Sequence, residues 1–513
     1  MQHYLNEHGY ILTNIRHTFC ESEGLKVTRL FSSNNAVFLI IYEAENTGND
    51  IAALYQAAFM EGDEYCSFFL VFHPGSPQCY SKNMKTKQYV LLRDMISYSS
   101  HAPNPSCPSA VPENSQFENM FFEAHSFLRD LDGLHPDEAL DELCKLIYAK
   151  LYDEELDSGI FSSSAGNSEE YASGIRRLYS DANAYDMRVY ALKIPGYKRS
   201  RGVFEEPVLL SANAIAKTGR LFAKYNFSKT DIDFKARAFQ NVYKPATRAG
   251  MGQYFTPLPV IRFIVSCIAP KMSDLIIDPF AGSAHFLTEA LSYVLPFADN
   301  EKTKNEFLFY KLHGIEKSER MVRIAMTDMR LHGDGHSNIR CTDSLLPFTS
   351  YTDLCADTFD VVMTNPPFGS ILHKESYPYL GDFELLKGKS KAPLEVPGLE
   401  RSIQLLREGG RLAIILPESI FVNKSYEYVR SWLLKNVKIR GIVSLPLTTF
   451  TPFGACIKTS ILFAAKTKPS ADYNIFTGTI EDIGFDRKGN PTSNPDWQET
   501  ADAFRAFIKK EGW

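Results

Sequence analysis

Residues 361–369 read VVMTNPPFG, an apolar strand pattern that runs directly into the turn Asn365-Pro366-Pro367-Phe368. The two prolines fix consecutive φ angles at about −65° and lack N–H groups, so the turn is stiff and its carbonyl oxygens are free to accept hydrogen bonds. The Asn365 side chain adds another acceptor at the same place. These oxygens together can accept hydrogen bonds from an NH2 group and stabilise the positive charge that forms while its nitrogen attacks a methyl group. Phe368 can stack on a planar ring. We therefore predict that these four residues are catalytic; the alternative is a Pro-rich turn after a buried strand.

A second stretch lies upstream, at residues 275–287 (LIIDPFAGSAHFL). It reads as an apolar strand ending in Asp278, a tight turn of small residues, and the start of a helix that continues to Tyr293. Gly282 and its small neighbours let the backbone approach a ligand closely, as in Gly-rich nucleotide loops. The pattern predicts a ligand-binding loop.

Two further strand patterns, at 313–316 (HGIE) and 339–344 (IRCTDS), also end in a carboxylate. The first acid is placed where Rossmann-like sheets commonly bind ribose hydroxyls, and the second is placed to meet an adenine amino group. Ligands bind beyond the carboxyl ends of parallel strands joined by helices, so four successive strand ends should form one site. Any one of these acids alone could be a loop carboxylate or a helix cap. The residues predicted to meet are Asp278, Glu316, Asp343 and Asn365.

The segment from about Asp231 to Lys466 resembles the methylation subunit of type I restriction–modification systems, an adenine amino-methyltransferase that uses S-adenosylmethionine. The resemblance covers nearly half of the chain, and its motifs come in the family's order. The matching stretches are GQYFTP at 252–257, DPFAGS at 278–283, GIE at 314–316, NPPF at 365–368, GGRLAIILP at 409–417 and KTSILF at 458–463. The resemblance implies an α/β fold: a Rossmann-like methyltransferase sheet preceded by a helical domain and a small N-terminal α/β domain.

The resemblance also implies roles for individual residues. Those at 254–256 would contact the methionine end of S-adenosylmethionine, Glu316 would hold its ribose and Asp343 its adenine. Asn365 and Pro366 would accept hydrogen bonds from the target amino group while Phe368 stacks on the base. The implied cofactor-binding residues are Gln253, Tyr254, Phe255, Thr256, Pro257, Asp278, Phe280, Gly282, Ser283, Glu316, Asp343 and Ser344. No metal site is expected.

The chain departs from this family's pattern at the cofactor loop. His285 stands where a glycine or another small residue is usual, and Phe280-Ala281 replaces a smaller pair. A histidine here would add bulk beside the methionine carboxylate, with a group that titrates at about pH 6.5. The alternative is that His285 points away from the loop on the first helical turn.

Composition shifts divide the chain into predicted domains. Residues 1–98 read as a small α/β domain, with apolar strand patterns at 36–42 and 67–72 around a helical stretch at 50–60. A Pro- and Ser-rich linker follows at 99–116. Helical spacing of apolar residues at 117–240 predicts a helical domain, with core aromatics such as Phe121 and Phe122. The predicted catalytic domain is 241–470, and 471–513 is a tail with a terminal helix.

The N-terminal unit faintly resembles the nuclease-like domain that precedes methyltransferases in solitary type I-like proteins. That domain holds metal with an Asp and a Glu-x-Lys pair. Here Glu43 is followed by Glu45 where the lysine should be, Asn34 and Asn35 stand near the place of the Asp, and Gln56 is the candidate trailing glutamine. We therefore expect a degenerate domain without metal-dependent cleavage.

Composition favours a large cytoplasmic enzyme. The 513 residues are 44% hydrophobic, which allows two to four domains with real cores. The nine cysteines have no C-x-x-C or zinc-like spacing, which favours free thiols in a reducing compartment. No run approaches the ~18 apolar residues of a membrane span, and the N-terminus has no signal pattern.

A net charge of −6 suits DNA only if basic side chains cluster. Candidate clusters, each of which could also be a solvated face, are Lys198-Arg199-Ser200-Arg201 and Lys235 with Arg237, Lys244 and Arg248. The target adenine must flip out of double-stranded DNA. Phe450 or Phe453 could contact the flipped base on the face opposite Phe368.

Only some 47 residues follow Lys466, too few for a target-reading domain, so a separate specificity subunit is the expected partner. The tail's Phe504, Phe507, Ile508 and Trp513 could form a docking stripe or fold on their own domain. Two other functions stay open: methylation of a protein glutamine, whose amide NH2 has the same geometry, and a binding or assembly subunit that has lost the cofactor.

Overall fold

The computed structural model describes six strands between His17 and Leu92 and most of the chain from Asn114 onward. The described residues are 17–22, 25–31, 37–44, 68–72, 78–82, 89–92, 114–163, 167–193, 206–228, 230, 242, 256–333, 338–351, 353–453, 456–469 and 472–513. The chain divides into two compact units. One comprises 1–110 with 150–165, and the other 111–149 with 166–513.

The first unit contains a six-stranded sheet in which spatial order follows chain order. Its strands are β1 (His17–Ser22), β2 (Leu25–Phe31), β3 (Val37–Ala44), β4 (Phe68–Phe72), β5 (Gln78–Lys82) and β6 (Tyr89–Leu92). β3 and β4 are parallel and lie where the two apolar runs predicted strands; the other neighbours are antiparallel. The expected helix at 50–60 and residues Asn34, Asn35, Glu45 and Gln56 lie outside the described residues.

Helices fill the chain between this unit and the second sheet, as expected. They are α1 (Asn114–Asp132), α2 (Pro136–Leu156), α3 (Ser168–Lys193) and α4 (Ala212–Phe222). Phe121 is buried on α1, with ring centroids 6.0 Å from Phe222 and 5.6 Å from Phe227, so it is a core residue. Phe122 next to it is 57% exposed, which corrects its expected place in the core. Helix α2 begins at Pro136, whose missing N–H costs nothing in a first turn.

The second unit contains a mixed sheet of eight strands: β7 (Ile276–Asp278), β8 (Leu312–Glu316), β9 (Ile339–Cys341), β10 (Phe359–Thr364), β13 (Leu406–Pro417), β14 (Lys438–Ser444), β15 (Thr459–Ala465) and β16 (Phe476–Thr479). Their order across the sheet is β16-β14-β15-β13-β10-β7-β8-β9. β15 is antiparallel to both of its neighbours, and the other described pairings are parallel. A two-stranded antiparallel sheet, β11 (Ile371–His373) with β12 (Lys391–Pro393), follows β10.

Helices cover this sheet, and the expected Rossmann-like α/β class is confirmed. All seven residues of β15 are buried, which requires cover on both faces and explains why its sequence shows no polar alternation. None of the described helices is long and apolar enough to cross a membrane. The helices are α5 (Leu258–Ile268), α6 (His285–Val294), α7 (Glu301–Tyr310), α8 (Glu319–Leu331), α9 (Glu395–Leu405), α10 (Ser419–Val422), α11 (Glu427–Asn436) and α12 (Trp497–Glu511).

The residues after 470 continue the same sheet rather than forming a separate tail. β16 pairs in parallel with β14, and α12 contacts α5. Phe504 is fully buried, with its ring centroid 4.5 Å from Phe463 of β15 and 5.4 Å from Phe476 of β16. Of the two alternatives for the aromatic stripe, the structure therefore favours a helix folded on its own domain.

Candidate active site

Four strand ends meet at one edge of the eight-stranded sheet. β10, β7, β8 and β9 are adjacent and parallel, so their carboxyl ends lie on the same side. Asp278 and Glu316 are the last residues of β7 and β8. Asn365 directly follows β10, and Asp343 lies two residues beyond β9. The sheet order thus brings together residues that the sequence placed only one after another.

The loop from Asp278 to Ala284, called the cofactor loop below, is tied down by two carboxylates. Asp278 Oδ1 accepts hydrogen bonds from Phe280 N at 3.0 Å and Thr364 Oγ1 at 2.5 Å. Glu316 Oε2 accepts from Gly282 N at 3.0 Å. Gly282 has φ +51°, a left-handed conformation that favours glycine, and a Cβ built there would meet no atom within 4 Å. The loop therefore presents open backbone, with room for a ligand.

Both carboxyl groups are buried, which penalises their charged forms. Burial raises the pKa of Asp278 to about 7, against the hydrogen bonds from Thr364 and Phe280 that lower it. Burial also raises the pKa of Glu316, against the hydrogen bonds from Ser318, Gly282 and Lys317 that lower it. A positively charged ligand beside the loop would favour the ionised carboxylates, since an opposite charge offsets desolvation.

A cavity opens beside this loop. Its lining residues are Thr256, Ile261, Asp278, Phe280, Ala281, Gly282, Ser283, His285, Phe286, Met321 and Asn365. Six of them were predicted as site residues: Thr256, Asp278, Phe280, Gly282, Ser283 and Asn365. The other predicted residues that the structure describes are not in this lining: Pro257, Glu316, Asp343, Ser344, Pro366, Pro367 and Phe368.

Other lining residues were not predicted. Ile261 on α5 and Met321 on α8 carry no chemical signal in the sequence, because apolar residues at helical spacing read as core. His285 lines the cavity, so the alternative that it points away from the loop does not describe this structure. Gln253, Tyr254 and Phe255 lie outside the described residues, as do both basic clusters.

Asn365 lies where the cavity meets the predicted catalytic turn, which comprises residues 365–368. Its Nδ2 donates a hydrogen bond to Thr256 Oγ1 at 2.9 Å. Its Oδ1 is buried and has no hydrogen-bond partner in the part of the chain that the structure describes. A buried acceptor without a donor is costly, about 1–3 kcal/mol, so the amide is poised for an incoming N–H group.

Helix α9 packs closely behind the turn and the loop. A Cβ on Gly398 would lie 3.2 Å from the Phe280 ring and 3.4 Å from Pro366 Cβ. The absence of a side chain at Gly398 therefore lets the helix approach both elements. Pro366 is buried and Pro367 is exposed.

Phe368 lies in an aromatic pair. Its ring centroid is 6.0 Å from that of Phe450, at an interplanar angle of 85°. Phe450 is fully buried and Phe368 is 7% exposed. Stacking of Phe368 on a base stays a prediction, and the side chain of Phe453 lies outside the described part.

Asp343 has more partners than the sequence indicated. Its Oδ2 accepts hydrogen bonds from Lys317 Nζ and Tyr379 Oη, both at 3.0 Å. Its Oδ1 accepts from Leu345 N at 3.0 Å. The Lys317 ammonium also lies 5.5 Å from the ring centroid of Tyr377. The carboxylate predicted to meet adenine thus lies beside two tyrosines and a lysine that the sequence did not single out.

Known proteins resemble this chain in sequence. Residues 238–513, just over half of the chain, match the model of the N-6 DNA methylase family, and the chain belongs to that family. It is 27% identical over 296 residues to the type I restriction enzyme EcoEI methylase subunit of Escherichia coli, covering 55% of this chain and 58% of that protein. It is 26% identical to the type II restriction enzyme and methyltransferase RM.BcgI of Heyndrickxia coagulans, covering 50% and 38%. The chain thus spans between about two fifths and three fifths of these relatives.

Solved structures confirm the fold. A chain from a structure of a type I R-M system superposes with a TM-score of 0.61 at 19% identity, covering 78% of this chain and 85% of that one. The methyltransferase subunit of a type I restriction-modification system from Streptococcus thermophilus gives a TM-score of 0.55 at 15% identity, covering 77% and 94%. At these identities the likeness establishes the fold.

Proposed function

We propose that this chain transfers a methyl group from S-adenosylmethionine to the exocyclic amino group of adenine in DNA, as the modification subunit of a type I-like restriction–modification or related defence system. The observation that carries the proposal is the buried, unpaired Oδ1 of Asn365 beside a cavity lined by the open cofactor loop. Membership of the N-6 DNA methylase family and similarity to type I methylase subunits support it.

The residues present fit the cofactor. Open space at Gly282 admits a ligand against the backbone, and two buried carboxyls offer acceptors to its polar groups. When bound, S-adenosylmethionine supplies a methyl group on a positively charged sulfur. Thr256 and the loop would hold its methionine end, Glu316 its ribose and Asp343 its adenine.

The catalytic turn would bind and orient the target base. Asn365 Oδ1 and the Pro366 carbonyl accept the two N–H bonds of an adenine amino group, which aims the nitrogen lone pair at the methyl group. The same oxygens stabilise the positive charge that develops on nitrogen. The proton can leave after transfer, so no base with a shifted pKa is needed. The adenine must first flip out of the duplex, at a cost of a few kcal/mol.

Two measurements test this function. Calorimetry should show that the purified chain binds S-adenosylmethionine, and long-read sequencing of host DNA with and without the gene should show N6-methyladenine that depends on it. Absence of cofactor binding would favour the alternative of a binding or assembly subunit. Cofactor binding with methyl transfer to protein glutamine instead of DNA would favour the other alternative.

A further inference from the structure

A histidine and a buried aspartate meet at the wall of the cavity. His285 is the first residue of α6 and lines the cavity beside the cofactor loop. Its Nε2 lies 3.8 Å from Asp328 Oδ2 on α8, and its Nδ1 lies 3.3 Å from Ser283 Oγ. The His285 side chain is 12% exposed and that of Asp328 is fully buried. The imidazole therefore connects a buried carboxylate to the ligand space.

Asp328 is unusual among the described carboxylates. Neither of its oxygens has a hydrogen-bond partner among the residues that the structure describes, and burial raises its pKa well above the ordinary value. A carboxyl group buried this deeply is ionised only when a positive charge lies nearby; otherwise it stays protonated. Two histidines lie close enough to supply that charge: the buried His332, whose Nδ1 lies 3.4 Å from Asp328 Oδ1 and 2.7 Å from the Asp328 backbone carbonyl, and His285. Of the two, His285 is the one that lines the cavity.

Among the described residues that line the cavity, His285 is the one that can become a cation. The described lining contains no lysine or arginine, and its other ionisable side chain is the acid Asp278. The carboxylate of a bound amino acid is held best by a charged donor. Among the described lining residues, His285 can supply one.

We propose that Asp328 and His285 form a pair that presents an imidazolium to the methionine carboxylate of the cofactor, so that cofactor binding takes up a proton at His285. The proton comes from solvent, and no bond other than N–H forms or breaks. The inference rests on the proposed use of S-adenosylmethionine, and His285 acts as a binding residue that Asp328 positions.

Several other charged groups lie around this pair. Asp278, with Glu316 behind it, faces the cavity from the sheet, and a positively charged ligand would draw a proton from Asp278. Arg262 of α5 pairs with Glu289 of α6 at 3.2 Å. On cofactor binding Asp278 would release a proton while His285 takes one up, and the two effects would partly cancel. The informative quantity is therefore the difference between wild type and a His285 variant in the number of protons taken up on binding.

The test is calorimetry of S-adenosylhomocysteine, which keeps the methionine carboxylate, in two buffers of different ionisation enthalpy from pH 6.5 to 8.5. His285→Gln should weaken binding at pH 6.5 by roughly tenfold or more, the equivalent of one charge-assisted hydrogen bond. The loss should shrink towards pH 8.5, and the variant should take up fewer protons than wild type. Asp328→Asn keeps the shape of the side chain. It should also weaken binding at pH 6.5 and lower the number of protons taken up on binding.

The same substitution at His373, an exposed histidine of β11, is the matched control and should bind like wild type. Thermal unfolding checks that each variant is folded. Equal proton numbers and affinities in wild type and His285→Gln would overturn the inference, and so would wild-type behaviour of Asp328→Asn. Failure of the wild-type chain to bind at any pH would instead refute the proposed use of the cofactor, and this inference with it.

Discussion

At the scale of single residues, Asn365 offers the sharpest test of the chemistry. Asn365→Ala should keep cofactor affinity, because the amide is needed only when the target amino group is bound. Methyl transfer should fall by about 10²–10³, the usual effect of losing one polar stabiliser of the transition state. The rate of methyl transfer is measured with labelled S-adenosylmethionine, and the cofactor affinity is measured in parallel, so that a loss of catalysis can be told from a loss of binding.

Asn423→Ala is the matched control for that experiment, because Asn423 is exposed and lies outside the cavity lining. It should leave both rate and affinity unchanged. An Asn365→Ala enzyme with full activity would refute the role assigned to the turn.

Gly282 tests the cofactor loop in the same way. Gly282→Trp should abolish cofactor binding, because the indole would fill the open space and the residue must hold φ +51°. Asp278→Ala should abolish it as well, because the hydrogen bonds to Phe280 and Thr364 that shape the loop are lost. Calorimetry measures both effects.

Gly388 provides the control for Gly282. It has φ +74°, a Cβ there also meets no atom within 4 Å, and it is exposed away from the cavity lining. Gly388→Trp introduces similar backbone strain and should bind the cofactor normally. Equal affinity in wild type, Gly282→Trp and Asp278→Ala would show that the site assignment is wrong.

At the scale of secondary-structure elements, we predict that helix α12 stabilises the eight-stranded sheet. Phe504 is fully buried between β15 and β16, so Phe504→Ala should lower the free energy of unfolding by about 3–5 kcal/mol. Phe122→Ala, at an exposed position on α1, should change it by about 0.5 kcal/mol or less. Denaturant unfolding compares the two variants.

If Phe504 served instead to dock a partner, its removal would leave the stability of the isolated chain unchanged and weaken only assembly. Similar unfolding midpoints for Phe504→Ala and Phe122→Ala would therefore contradict the folded role of α12. The buried side chain and its two ring contacts are the reason that we expect the opposite.

At the scale of the whole molecule, we propose that sequence recognition requires a separate specificity subunit. Reading a DNA sequence needs side chains that reach base edges in the major groove. The type I relatives to which the chain is similar are methylase subunits. The purified chain should therefore bind DNA weakly and methylate no defined sequence, whereas addition of a specificity subunit should restrict methylation to one motif. Long-read mapping of plasmid DNA after each reaction gives the answer.

A single methylated motif produced by the chain alone would place recognition within these 513 residues. The N-terminal unit adds a separate expectation. We propose that it is a degenerate nuclease-like domain that docks a partner or DNA, without cutting in Mg²⁺ or Mn²⁺. Metal-dependent cleavage that disappears in Glu43→Ala would contradict this.

Features of this protein that depend only on neighbours along the chain can be read from its amino-acid sequence. Two prolines fix the turn after Asn365 wherever the strand lies, and Gly282 permits a left-handed loop in any surroundings. Continuous apolar runs predicted buried strands, and their order predicted a parallel sheet with acids at its edge. These are local consequences of backbone sterics and of burial.

The tertiary structure alone decided which distant residues meet. Thr256 holds the amide of Asn365 from 109 positions away, and Asp328 reaches His285 from another helix. β16 and α12 return to the sheet, although their composition read as a polar tail. Hydrophobic periodicity shows that a helix has a buried face, but the order of strands and the packing of helices determine what that face contacts. For that reason the turn that follows β10 could be predicted from the sequence, whereas the Asp328–His285 pair required the folded chain.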